Sequence, residues 1–118
     1  MTTRDVANQL VELCRFGKID EAQEILFAET IQSVEANEMM GAKIVAGLEA
    51  VKAKSVAFQE GVETFHGAEI SDPIVAGNSF AITWKMDATF KGRGRMIIEE
   101  VCVYQVKDGK IVLEQFFY

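Results

Sequence analysis

Apolar residues in this chain follow two different periods, and the change falls near the middle. In the first half they recur at helical spacing. Val6, Leu10, Leu13 and Cys14 predict an amphipathic helix over residues 4–16, with Gly17 as its stop. Ile19, Ala22, Ile25 and Leu26 predict a second helix, with Asp20 and Glu21 near its start, where negative charge suits the helix dipole. The connection between them is short enough only for a helical hairpin. Thr30 to Glu35 alternates between apolar and polar and predicts a short strand. Ala36 to Ala46, rich in Met, Gly and Asn, reads as a loop. Leu48, Val51, Ser55 and Phe58 mark a third helix that Gly47 opens and Gly61 closes.

From Thr64 the period becomes two. His66, Ala68 and Ile70 alternate with Phe65, Gly67 and Glu69. Gly77-Asn78 turns the chain, and Phe80, Ile82, Trp84 and Met86 then alternate with Ala81, Thr83, Lys85 and Asp87. Gly92 and Gly94 make the next turn, and Met96 to Val106 is a long strand. Asp108-Gly109 is a tight-hairpin signal, because both residues tolerate positive φ. Ile111 to Tyr118 completes an antiparallel meander of about four strands, joined by Thr30 to Glu35 as a fifth. The expected architecture is α+β: three N-terminal helices packed on a curved antiparallel or mixed sheet of about five strands. The long strand is apolar on both faces, with Val101 and Val103 on one and Ile98, Cys102 and Tyr104 on the other. Two-sided apolarity calls for two-sided burial. Three helices cover one face, so a homodimer through the other is expected.

Composition narrows the function classes. At 118 residues the chain is a single domain spanning residues 1–118. A net charge of −6 repels phosphate backbones, which argues against a nucleic-acid partner. No apolar run approaches the roughly 20 residues of a membrane helix, so no membrane partner is expected. Met1 to Asp5 lacks the apolar core of a signal peptide. The two cysteines, Cys14 and Cys102, sit apart in apolar patterns and read as free buried thiols, which suits a reducing, cytoplasmic setting. With one histidine and no clustered ligand spacing, neither a metal site nor a cofactor is expected.

The helical hairpin, the short strand, the Gly47-Leu48-Glu49-Ala50-Val51 helix start and the stretch from Glu99 to Tyr118 carry a resemblance. Together they resemble the SnoaL-like, or polyketide cyclase-like, branch of the nuclear-transport-factor-two-like superfamily. The resemblance covers nearly the whole chain. It implies a cone-shaped α+β barrel, open at one end, with a mostly apolar pocket and frequent dimers. It implies little about activity, because relatives include cyclases, ketosteroid isomerases, epoxide hydrolases and pocket proteins without a known reaction. Against the isomerase pattern, the base position after the first strand falls on Ala36 in Val34-Glu35-Ala36, and the oxyanion acid falls on Cys102. Glu35 stands one step away and would face the opposite side of a regular strand. The Asp-Arg-Asp arrangement of the epoxide hydrolases has no obvious counterpart.

Enzymes of this kind work with carboxylates in an apolar cone, where desolvation raises proton affinity. Glu100 shares the face of Cys102 and Tyr104, and Glu114 shares that of Phe116 and Tyr118. Each reads either as a site acid or base or as a solvated strand glutamate. His66 reads either as a proton shuttle at the cone or as a structural histidine bonded to backbone. The candidate catalytic residues are thus Glu100, Glu114, Glu35 and His66. The candidate ligand contacts are Trp84, Met86, Cys102, Tyr104, Phe116, Tyr118 and Phe58, with Met39 and Met40 at the lip. Three functions remain: a pocket for a small apolar or cyclic molecule, an acid–base enzyme on a carbonyl or cyclic substrate, and a dimeric interaction module whose cone is filled by its own side chains.

Overall fold

A computed structural model of the chain describes residues 1–39 and 41–118. The elements are α1 (Thr3–Arg15), α2 (Ile19–Leu26), β1 (Phe27–Val34), β2 (Ile44–Ala46), α3 (Leu48–Glu60), β3 (Val62–Ile70), β4 (Ile74–Ala76), β5 (Ser79–Phe90), β6 (Gly94–Lys107) and β7 (Lys110–Phe117). Thr2 and Asp5 form a reciprocal capping box that fixes the start of α1. Gly17, at φ +71°, lets the chain leave it. Asp108 and Gly109 both hold positive φ, at +53° and +76°, as a two-residue hairpin turn requires.

The strands form one sheet in the order β2-β1-β7-β6-β5-β3, with β4 also on β5. All pairs are antiparallel except β1 with β7, so the sheet is mixed. Seven strands replace the expected five. The two additions, β2 and β4, have three residues each, too few to show a period. β1 begins at Phe27, directly after α2, rather than at Thr30. Its pairing with β7 is irregular between Phe27 and Gln32, which hides the alternation there. β3 and β4 run along one side of β5, interrupted at Asp72 and Pro73. Beside the interruption Arg15 donates two hydrogen bonds to the Ile70 carbonyl, at 3.2 and 2.7 Å, and one to Asp72 at 2.9 Å.

The helices cover the inner face of the sheet. Val6, Leu10 and Cys14 of α1 and Leu26 of α2 pack in one core with Phe80, Ile82, Cys102 and Tyr104. Phe80 stacks on Tyr104 with ring centroids 4.8 Å apart. At the other end Phe58 of α3 meets Phe90 edge-on at 5.8 Å. Between these two packed regions the inner face is only half-buried, at Trp84, Met86, Ile98 and Glu100. The outer face carries no helix, and Ile97, Val101 and Phe117 are 60%, 42% and 50% exposed there. No helix of the described residues is long and apolar enough to cross a membrane.

Phe80 is 2% exposed and anchors the packed end. Phe80→Ala should cost about 3–5 kcal/mol through the cavity it leaves. Lys107→Ala, at an exposed position, should stay within about 0.5 kcal/mol. Urea unfolding of both variants checks the contrast.

Candidate functional site

Four elements deliver polar side chains to one place on the inner face. Period two on β6 aligns Glu100, Cys102 and Tyr104. On β7, Glu114 lies opposite Tyr104, and Phe116 opposite Cys102. β1 runs parallel to β7 and sets Ser33 beside Glu114. Two residues on from Ser33, Glu35 continues its face just past the strand end. Lys54 of α3 lies one helical turn from the buried Val51 and so points the same way.

The contacts form a chain. Lys54 Nζ pairs with Glu35 Oε1 at 2.5 Å and donates to Ser33 Oγ at 2.7 Å. The Ser33 hydroxyl in turn bonds the Glu114 carboxyl. The Tyr118 hydroxyl donates to Glu35 Oε2 at 3.0 Å. The Lys54 ammonium stands 5.2 Å over the centroid of the Phe116 ring. The Cys102 thiol donates to Glu100 Oε1 at 3.5 Å.

Burial decides the protonation of this group. Glu114 is 7% exposed, and desolvation pushes its carboxyl up to about 7. The Ser33 bond and the Lys54 charge pull against that shift, while Glu35 and Glu100 add to it. Desolvation also lifts Glu100, to about 6, against the thiol bond from Cys102. Burial pushes the thiol of Cys14 up to about 12 and that of Cys102 higher still, so both stay protonated. Burial likewise raises the Tyr104 phenol. Burial thus holds both Glu100 and Glu114 above the ordinary carboxylate range, Glu114 the higher of the two.

Glu100, Glu114, Cys102, Tyr104, Phe116 and Tyr118 therefore share the neighbourhood that strand alternation assigns them. Three expectations change. Glu35 does not face away: it lies on the Ser33 side, its side chain 15% exposed, because it stands two positions on from inward Ser33. His66 is not at the cone. A register shift between Phe65 and Gly67 breaks the alternation of β3. The exposed His66 ring then bonds Thr89 Oγ1 at 2.8 Å, on the outer side with Asp87 and Arg95. Cys102 and Tyr104, at 0% and 3% exposure, form a floor rather than an accessible wall. Trp84 and Met86 border the half-open stretch. Phe58 is 37% exposed at its far end, Met39 is 80% exposed, and Met40 lies outside the described residues.

Lys54 and Ser33 are site residues that the sequence reading passed over. Helical spacing from Val51 and period two from Ile31 would have found them. Both cysteines are free and buried. Among the described residues no group of three or more His, Cys, Asp or Glu side chains is placed to hold a metal ion. A groove of about 350 Å³ lies elsewhere, between α1 and Asp72–Pro73.

The comparisons with known proteins agree with this architecture. The family model described as a SnoaL-like domain matches residues 1–118. A candidate SnoaL-like polyketide cyclase from Mesorhizobium loti is 39% identical, with full coverage of both chains and a TM-score of 0.94. A protein of unknown function with a cystatin-like fold from Xanthomonas campestris is 20% identical over 99% of this chain and 90% of its own, with a TM-score of 0.83. TerC, co-crystallised with polyporic acid, is 12% identical over 98% and 90%, with a TM-score of 0.76. The last two share the fold. No curated protein matches the chain.

The raised Glu114 sets a pH dependence of stability. The unfolded carboxyl ionises near its ordinary value of 4.5, whereas the folded one keeps its proton to about 7. The stability carried by that proton is complete below about 4.5 and is lost as pH rises through 7. Glu114→Gln does not titrate. Its stability relative to the parent should therefore climb between pH 4.5 and 8, by roughly 3 kcal/mol. Urea unfolding of both proteins across that range measures the difference, and a flat difference would assign Glu114 an ordinary carboxyl.

Proposed function

The chain belongs to the SnoaL-like family, and on that premise we propose that it binds a small apolar or cyclic molecule at the half-open stretch of the inner face. Glu100 serves as the polar anchor. One observation carries the reading: Trp84, Met86, Ile98 and Phe116 are half-buried beside the half-buried Glu100 carboxyl. An apolar lining with few placed polar groups is the usual make-up of a small-molecule site. The packed end, where Phe80 stacks on Tyr104, confines the ligand to this mouth. The polyketide cyclase description of the Mesorhizobium loti relative supports a small-molecule ligand.

A second reading, proton transfer to or from that ligand, has its own support. Burial lifts the Glu100 carboxyl to about 6 while leaving it partly exposed, as a general base working near neutrality needs. Glu114, at about 7, stands behind it as a proton reserve, with Glu35 held by Lys54 and Tyr118. His66 lies outside this proposal because its ring is on the other side of the sheet.

Trp84 is the only tryptophan, so its fluorescence reports on the mouth alone. Planar cyclic compounds should change that emission saturably, and Glu100→Ala should weaken the response about tenfold, the loss of one charge-assisted hydrogen bond. Absence of any saturable change across such a panel, with no ligand density at Trp84 in soaked crystals, would refute the binding site.

The outer face supports a homodimer. Val101 and Phe117 are register partners on it, and Ile97 extends the patch along β6. Exposed apolar groups in a row on a sheet face suit a second copy of the same surface. Sedimentation equilibrium should give the mass of two chains, and Val101→Asp should reduce it to that of one by burying a charge in the contact.

A further inference from the structure

Glu100 stands in an unusual charge balance for a half-buried carboxylate. Lys54 is the cation nearest the site, and it is engaged with Glu35 at 2.5 Å and Ser33 at 2.7 Å. The ion pairs of Arg15, Lys52, Lys85 and Arg95 go to Asp72, Glu24, Glu99 and Asp87. Glu100 itself accepts from the Cys102 thiol, a weak donor. Three carboxylates, Glu35, Glu100 and Glu114, thus surround one ammonium. A desolvated carboxylate without a counter-charge is costly, and a cation brought by a ligand would remove that cost.

The neighbouring side chains fit such a cation. Trp84 is the register partner of Glu100 on β5, so the two side chains leave the sheet on the same face about 5 Å apart. Tryptophan offers the most favourable aromatic face to a cation. The site already holds an ammonium over a ring, that of Lys54 over Phe116 at 5.2 Å. Met86 and Ile98, paired with each other beside Trp84 and Glu100, supply an apolar wall for the rest of the molecule.

We propose that the ligand of this mouth carries a protonated amine beside an apolar ring, its ammonium seated between the Glu100 carboxylate and the face of Trp84. This inference rests on the binding site proposed above and specifies its ligand class. The charged and titratable groups facing Glu100 are Lys54 from α3, Glu35 beyond β1, Glu114 from β7, and Cys102 and Tyr104 on its own strand. None supplies it with an ion pair in the way the ligand would.

The test compares benzylamine, protonated throughout the range used, with its neutral counterpart benzyl alcohol, by titrating Trp84 fluorescence at pH 7.5 and pH 5. The amine should bind at least about tenfold tighter than the alcohol at pH 7.5. That preference should fall about tenfold at pH 5, where Glu100, at about 6, has taken up its proton. Glu100→Gln, with folding checked by circular dichroism, should lose the preference at both pH values while still binding the alcohol. Equal or tighter binding of the alcohol at pH 7.5 would overturn the amine proposal and leave the binding site standing. So would an amine preference that survives both acid and Glu100→Gln. Failure of both compounds to perturb Trp84 at any concentration tested would overturn the site itself and the amine proposal with it.

Discussion

Lys54 carries its ammonium into the space between α3 and the sheet, where Glu35 and Ser33 meet it at 2.5 and 2.7 Å. Much of the site hangs on this placement. It ties the helix to the end of β1, and through the Ser33 hydroxyl it reaches Glu114 on β7. Through Glu35 it also fixes the Tyr118 hydroxyl. A charge taken partly out of water is tolerated only when its partners satisfy it, and here Ser33 and Glu35 at the end of β1 and the Phe116 ring of β7 do so. Without that ammonium, three carboxylates would share one low-dielectric neighbourhood, and their mutual repulsion would favour protonation or opening. The raised affinities of Glu100 and Glu114 are what remains after Lys54 has acted.

The inner face has two characters. Toward Phe80 and Tyr104, α1 and α2 close over apolar residues and leave no space. Toward Trp84 and Ile98 the inner face is only half-buried, and at the far end Phe58 of α3 packs on Phe90. A reactive or binding group needs both access and desolvation, and Glu100 sits at the boundary where both hold.

The architecture was legible in the sequence because most elements are long enough to display a period. Helices such as α1 repeat Val6, Leu10 and Cys14 over several turns, and β5 and β6 alternate over a dozen residues. The strands β2 and β4 escaped because three residues carry no period, and pairing with a longer neighbour creates them. Of the site, alternation could say that Glu100 shares a face with Cys102 and Tyr104, and Glu114 with Phe116, but whether those acids point inward stayed open, because a period does not say which face is covered. His66 could not be placed, because a β-bulge is a tertiary event that reverses a side chain without altering composition. Lys54 escaped for a different reason: a lysine on a helix reads as solvated until the acids that call it inward are known.

The break in the sheet edge at Asp72 and Pro73 has a bearing on solution behaviour. β3 and β4 form an outer edge of the sheet, and an edge offers unpaired backbone groups to any passing extended chain. Proline has no amide hydrogen to offer at that point. Arg15 occupies the Ile70 carbonyl with two hydrogen bonds. A foreign strand aligning along this side meets a missing donor and a covered acceptor in succession. At this point the border therefore presents fewer free backbone groups for edge-to-edge pairing.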